Sequence, residues 1–203
     1  MREINDILIN LKKSKQLKFN IENFYMNADE DRYYSYLNDI ILKYVKNKDK
    51  VLSYIKEHNF GENNIVNGIF CKEGKLTCVV PQRKKLLDEM INIHEITHLV
   101  NNLISIDDDE TISKEIIPFF NEYEYLKEIN PFYAECYKIL RYNNAIEAAK
   151  IINEKNYNDC LSYINAYYVL IDKEYNYDIN KLNKINAKSK RLEKTLELKG
   201  YTF

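Results

Sequence analysis

The chain contains very few residues that interrupt a helix, with only four glycines and three prolines in 203 residues. Glycine and proline are the strongest local breakers of regular structure, so the long stretches between them can remain helical. Apolar residues recur at helical spacing in most of these stretches. The sequence therefore predicts a mainly α fold, of the α+β class, in which strands occupy one short segment.

The spacing of hydrophobic residues predicts where the helices and strands begin and end. Helices are predicted over residues 4–17, 29–45, 51–58, 84–104, 114–128, 131–141, 145–154, 159–173 and 180–198. A β-hairpin is predicted from Gly68 to Val80, around the turn Lys72-Glu-Gly-Lys75. No repeat or compositional break requires a second domain. We expect residues 1–203 to form one domain, with a helical portion over residues 1–60 and the hairpin and remaining helices over residues 61–203.

The charge balance argues against several kinds of partner. Charged residues make up 30% of the chain, yet the formal net charge is -1. This offers no strong attraction to nucleic acid or to acidic membranes, and neither is predicted as a partner. The four cysteines form no C-x-x-C pair, and the N-terminus has no apolar run of the signal-peptide type. We therefore expect a cytoplasmic protein with reduced thiols and no membrane-spanning helix.

The predicted helix over residues 84–104 contains the pattern HExxH, formed by His94, Glu95 and His98. Residues four positions apart lie on one face of a helix, so both imidazoles project towards a common point. This arrangement suits two ligands of a tetrahedral zinc ion. Glu95 is rotated by about 100° around the helix axis and can serve as the base that activates a metal-bound water. The alternative is a pair of helical histidines that make ordinary hydrogen bonds.

A catalytic zinc site usually has a third protein ligand, which this local pattern leaves open. His58 is the only other histidine and lies on a different predicted element. A carboxylate is the better candidate, and the helical ones are favoured because a ligand needs rigid support. The candidates are the acidic loop from Asp107 to Glu110, and Glu115, Glu122 and Glu124 beyond it.

Two stretches resemble a known class of enzymes, the gluzincin peptidases. The segment from His94 to Val100 resembles the thermolysin-type form of the motif. Glu115-Ile-Ile-Pro-Phe-Phe-Asn-Glu122 is similar to the Glu-x-x-x-x-Phe-Asn-Glu pattern of the thimet oligopeptidase and oligoendopeptidase F family, whose first glutamate binds zinc. The resemblance implies a zincin-like fold in which Glu115 is the third ligand and Asn121 and Glu122 support the ligands from outside.

This sequence departs from the family pattern in two respects. The spacing from His98 to Glu115 is tighter than the family usually shows. Pro118 falls inside the pattern, and proline is tolerated only in the first turn of a helix, so Glu115 should stand at the start of its helix. Glu122 lies on the same helical face and remains the alternative metal ligand.

The same family has a tyrosine-rich helix after its zinc ligands, and the segment from Tyr163 to Leu170 resembles it. Tyr163, Tyr167 and Tyr168 are therefore candidates to stabilise the oxyanion of a tetrahedral intermediate. A tyrosine stripe at helical spacing is more often a packing feature than a catalytic one. In zincins a sheet edge beside the active-site helix binds substrate as an added strand, and the strand over residues 75–80 could provide this edge or only cover the helix.

The expected function is zinc-dependent hydrolysis of peptide bonds in a peptide or protein substrate. Three alternatives remain open. The chain could be a regulatory protease that cuts one protein partner, or a catalytically silent zincin-like binding protein. It could also be a helical interaction protein whose two histidines bind no metal.

Overall fold

The computed structural model describes residues 4–59, 67–72, 75–101, 114–171, 179–180 and 183. This part of the chain forms seven α-helices of defined bounds and one small sheet, which confirms the mainly α, α+β class. The helices are α1 (Ile4–Lys13), α2 (Glu30–Tyr36), α3 (Lys48–Leu52), α4 (Leu86–Asn101), α5 (Ile116–Ile129), α6 (Pro131–Ile151) and α7 (Tyr157–Ile171). A 3₁₀ turn (Ile21–Phe24) precedes α2, and a π-helical segment (Leu37–Ile41) follows it.

The sheet has three strands, in the order β1 (Ile55–His58), β3 (Lys75–Pro81) and β2 (Gly68–Lys72). The predicted hairpin is confirmed, because β2 and β3 pair antiparallel with Lys72 opposite Lys75. The first strand corrects the predicted helix over residues 51–58, since α3 ends at Leu52 and β1 then pairs parallel to β3. Pairing with a strand distant in sequence outweighs local helical preference in such a short segment.

The central position of β3 limits a second expectation. Residues 78–81 of β3 pair with β1, and residues 75–79 pair with β2. A substrate strand therefore cannot add at Cys78 or Val79, which are paired on both sides. The outer edges of the sheet belong to β1 and β2.

The helix that carries the HExxH motif, α4, lies at the centre of the structure. Its apolar residues are almost fully buried on several faces, as a central helix requires; they include Leu86, Met90, Ile93, Ile96, Leu99 and Val100. At its start, the Asp88 carboxylate accepts hydrogen bonds from the backbone N–H groups of Lys84 and Lys85, at 2.9 and 2.8 Å. This contact fixes the point at which the chain turns from the sheet into α4.

The helices that follow α4 differ from the expected ones in one respect. The predicted separate helices over residues 131–141 and 145–154 are a single helix, α6. Asn143, in the expected break, exchanges two hydrogen bonds of 2.9 Å with the backbone of Leu17, so its polar side chain is satisfied without ending the helix. The predicted helix over residues 180–198 and the acidic loop from Asp107 to Glu110 fall outside the described residues, apart from residues 180 and 183.

Two hydrophobic clusters hold these elements together. The larger joins α2, the π-helical segment and the sheet to α4 and α5, while the smaller packs α1 on α6 and α7. Three cysteines, Cys78, Cys136 and Cys160, are free and buried. Within the described ranges, no helix has both the length and the apolarity needed to cross a membrane.

Candidate metal centre

Three potential metal ligands, His94, His98 and Glu115, meet in the interior between α4 and α5. The Nε2 atoms of the two imidazoles are 2.9 Å apart, and the Oε2 atom of Glu115 is 3.2 Å from each of them. The exposed fractions of these side chains are 11%, 7% and 4%, respectively. This is the one group of possible metal ligands found among the described residues.

The helix geometry explains why these three atoms converge. His94 and His98 are one turn apart on α4, with their rings nearly perpendicular at 86°. Glu115 is the residue immediately before α5, in the N-cap position, and its carboxylate makes no capping hydrogen bond. The side chain is directed at the imidazoles instead. Pro118 lies in the first turn of α5, as the sequence predicts.

The Oε2 atom of Glu115 is buried and has no hydrogen-bond donor among the described residues. Both Nε2 atoms lie within 3.2 Å, but neither meets it with hydrogen-bond geometry. Buried carboxylate oxygens are nearly always partnered, so an orphan that faces two imidazole nitrogens requires an explanation. A cation at the common point of the three atoms satisfies all of them.

The size of the triangle fits such a cation. A tetrahedral zinc ion bonds to nitrogen and oxygen at about 2.0–2.1 Å, which sets two ligand atoms roughly 3.3 Å apart. The observed separations of 2.9, 3.2 and 3.2 Å are close to that value. Two imidazoles and one carboxylate also make up a donor set that zinc accepts.

The protonation of the cluster leads to the same inference. Burial lowers the pKa of His94, but Glu122 and Glu115 outweigh it and raise this pKa to about 10. Burial and the neighbouring His94 lower the pKa of His98 to about 4. Burial opposes ionisation of Glu115, yet the two imidazoles hold its pKa below the ordinary range. Without a metal, His94 therefore carries the one positive charge of the pair while His98 is neutral, and a bound cation can take the place of that charge.

Glu122, the alternative ligand, lies on the far side of the His94 ring. Its Oε2 atom is 3.2 Å from Nδ1 of His94, whereas the Nε2 atom of that ring faces Glu115. Tyr137 donates a hydrogen bond to the same Oε2 atom, and so does Nη2 of Arg141, at 2.6 Å. Glu122 thus occupies the position of a carboxylate that orients a ligating histidine, and the geometry favours Glu115 as the ligand.

Asn121 does not touch the three ligand atoms. Its side chain donates to Thr97 Oγ1 at 3.2 Å and to Asn183 Oδ1 at 3.1 Å, and Asn183 donates back at 3.0 Å. Tyr36 donates to its backbone oxygen at 3.0 Å. Asn121 therefore links α5 to α4 by a hydrogen bond next to His98. It can support the site only indirectly, by holding these two helices together.

Glu95 is half-buried and follows His94 on α4. Burial raises the pKa of its carboxyl group to about 7, with His94 acting in the opposite direction and Glu115 adding to the increase. Glu95 is therefore close enough to the cluster to interact with its charges, yet it is not one of the converging ligand atoms. This is the position expected of a general base beside a metal.

The structure separates the three candidate tyrosines. Tyr163 is 36% exposed, and its ring is 5.9 Å from that of Phe119, which in turn is 6.0 Å from His94. Burial and the nearby Glu115 raise the pKa of Tyr163, while Arg141 lowers it. Tyr167 and Tyr168 lie in the smaller hydrophobic cluster, where Tyr167 packs against Tyr142 at 5.6 Å. Only Tyr163 is placed beside the candidate centre.

Sequence reasoning missed Tyr137 and Arg141. Both lie on α6, 15 or more residues beyond Glu122, and no local pattern connects them to it. Their relevance depends on how α6 packs against α5, and tertiary packing of this kind has no signature in a short motif.

Comparisons with models of protein families, with curated proteins and with solved structures found no match to this chain. The functional argument therefore rests on the residues of the centre and their geometry.

Proposed function

We propose that this chain is a zinc-dependent peptidase of the gluzincin type, with a zincin-like fold and a cytoplasmic location. The metal ligands are His94, His98 and Glu115. One observation carries the proposal: three buried ligand atoms converge from two helices, and one of them is a carboxylate oxygen without a donor. A zinc ion held there supplies Lewis acidity, which polarises a peptide carbonyl and lowers the pKa of water towards about 7.

Glu95 is the general base of the proposed reaction. It takes a proton from the attacking water and delivers it to the nitrogen of the leaving amine. Its half-buried position supports this role, because it lies beside the ligands without being one of them. The products are two shorter peptides.

Tyr163 is the proposed donor to the oxyanion. Its hydroxyl group is protonated at neutral pH, as a tyrosine ordinarily is, and burial raises its pKa further. It is also partly exposed, so a substrate can reach it, unlike the fully buried Tyr137. A positioned donor of this kind stabilises negative charge that develops only in the transition state.

The proposed binding site for an extended substrate is the outer edge of β2. This strand and β3 both pack against α4, and β2 is an outer strand of the sheet. Phe70 on β2 is 43% exposed and provides an apolar contact for a substrate side chain. Backbone hydrogen bonds along such an edge bind a peptide with little dependence on its sequence.

The decisive test combines metal analysis with one conservative substitution. Native protein should contain about one zinc per chain, as expected of a single set of three protein ligands with an open fourth position. Glu95→Gln should keep the metal and lower peptide hydrolysis about 10²–10⁴-fold, since a general base contributes that much. Glu124→Gln is the matched control, because Glu124 lies on α5 in an ion pair with Lys127 and outside the cluster. It should retain both zinc and activity.

Other outcomes separate the alternatives. Zinc-loaded protein that cleaves one protein partner but no generic peptide supports the regulatory protease. Zinc-loaded protein that hydrolyses nothing in a broad peptide library supports the silent binding protein. Native protein that contains no zinc and takes up none contradicts the proposal entirely.

A further inference from the structure

A single oxygen atom, Oε2 of Glu122, receives three polar contacts deep in the interior. They come from Nδ1 of His94 at 3.2 Å, from the Tyr137 hydroxyl group and from Nη2 of Arg141 at 2.6 Å. The side chain of Glu122 is only 3% exposed and that of Arg141 only 11%. Glu122 is on α5, while its two other partners are on α6. One carboxylate oxygen therefore connects α6 to a ring of the metal centre.

The guanidinium group of Arg141 is itself held firmly. It lies over the ring of Phe119 at 4.0 Å and near the ring of Tyr137 at 4.7 Å. The two groups that contact Glu122 are thus a fully buried tyrosine and a guanidinium group packed against two rings. A carboxylate fixed in this way also fixes the orientation of the imidazole it contacts, because Nδ1 and Nε2 belong to one rigid ring.

We propose that Tyr137 and Arg141 are positioning residues for His94 that act through the carboxylate of Glu122. This inference rests on the proposed function, since it concerns the binding of a metal by His94. Among the described residues, no hydrogen bond or ion pair joins Tyr137 or Arg141 to Glu115 or His98. Their effect is to hold the His94 ring so that Nε2 points at the common point of the three ligands.

The chain offers an internal control of the same chemistry. Glu89, earlier on α4, accepts hydrogen bonds on its Oε2 atom from the Tyr125 hydroxyl group at 2.6 Å and from Nη2 of Arg32 at 3.0 Å. In this trio of tyrosine, glutamate and arginine, the Glu89 side chain is as deeply buried as the Glu122 side chain is in the other trio. Its third contact is the backbone N–H of Asp29, at 2.7 Å, rather than a histidine of the centre. It can therefore stabilise the fold without orienting a ligand.

The experiment compares the two trios. Zinc affinity is measured on the full chain by competition with a chromophoric chelator, and the visible spectrum is recorded after cobalt(II) is bound in place of zinc. Tyr137→Phe and Arg141→Met are compared with Tyr125→Phe and Arg32→Met, and each of the first pair is also combined with Glu122→Gln. Tyr137→Phe removes one hydroxyl group only, so it keeps the test valid if Arg141→Met does not fold.

Removal of a group that orients a metal ligand typically weakens metal binding about 10–100-fold. We expect this loss, with a changed cobalt spectrum, for Tyr137→Phe and Arg141→Met, and no comparable change for the two control variants. In the Glu122→Gln background, the same substitutions should add little. Zinc affinities that match those of the controls would overturn the inference, and so would full additivity with Glu122→Gln. Wild-type protein that binds neither zinc nor cobalt overturns both this inference and the proposed function.

Discussion

Zinc should raise the unfolding temperature of the metal-free protein by a predictable amount. Two ligand atoms come from α4 and the third from the residue that precedes α5, so the complete set exists only when these helices are packed together. The unfolded chain keeps no fixed arrangement of His94, His98 and Glu115. A metal held by the proposed ligands would therefore bind the native state far more tightly than the unfolded state, and mass action would stabilise the fold.

The expected magnitude follows from the ratio of free zinc to its dissociation constant. At 1,000 times that constant, the added stability is about 4.1 kcal/mol. For a chain of about 200 residues, each kcal/mol raises the unfolding temperature by about 2–4 °C, which gives a shift of about 8–16 °C. The assay is thermal unfolding followed by circular dichroism, after treatment with a chelator and with zinc added back in steps.

Three substitutions make this test specific. His94→Ala and Glu115→Gln should each lose most of the shift, because each removes a ligand. His58→Ala is the matched control: His58 contacts Asn67 at 2.8 Å and lies outside the centre, so the shift should persist. A shift that survives in His94→Ala at the wild-type size refutes the assignment of the site. Loss of the shift in His58→Ala would place the metal elsewhere.

Two further predictions concern catalysis and protons. Tyr163→Phe should lower kcat about 10²–10³-fold, which is the usual effect of losing one oxyanion donor. Tyr167→Phe is the control and should leave kcat unchanged. Equal effects of the two substitutions would show that Tyr163 is not the oxyanion donor. Zinc binding requires an unprotonated His94, whose pKa is raised to about 10 by Glu122 and Glu115 against the effect of burial. Zinc affinity should therefore rise as the pH increases from 7 towards 10. Calorimetry of zinc binding at pH 8, in buffers of different ionisation enthalpy, should show that the wild type releases more protons than Glu122→Gln does. Equal release would show that Glu122 does not hold this proton.

The elements that the sequence predicts correctly are those with a strong local pattern. The motif helix has a long helical periodicity, and the sequence from Lys72 to Lys75 carries a clear turn signal between the two paired strands. The first strand was mistaken for a helix, because Ile55–His58 is too short to show a strand period and its partner lies 23 residues further on. The break expected in α6 came from polar residues such as Asn143, whose amide is satisfied by Leu17 rather than by a turn. In both cases a tertiary contact decides the local structure.

In the candidate site, too, local patterns predict some residues and tertiary packing decides the others. His94 and His98 are placed together by helix geometry alone, and the position of Glu115 before α5 follows from Pro118. The choice between Glu115 and Glu122 required the structure, since both occupy one face of a helix and differ in which ring nitrogen of His94 they approach. The choice among the tyrosines also depends on packing, because neighbouring turns of α7 contact different helices.

The buried polar groups of α4 make the strongest general argument for a functional centre. Polar side chains in the interior are costly unless each has a partner, and natural chains satisfy nearly all of them. Asp88, Glu89, Asn92 and Thr97 follow this rule, with partners in the backbone, in Arg32 and in Tyr125. The group formed by His94, His98 and Glu115 departs from it, because Oε2 of Glu115 and Nδ1 of His98 are buried without a hydrogen-bond partner among the described residues. This contrast with the other polar side chains of α4 supports the proposal of a divalent cation, because one such ion can bond to both Nε2 atoms and to Oε2 of Glu115.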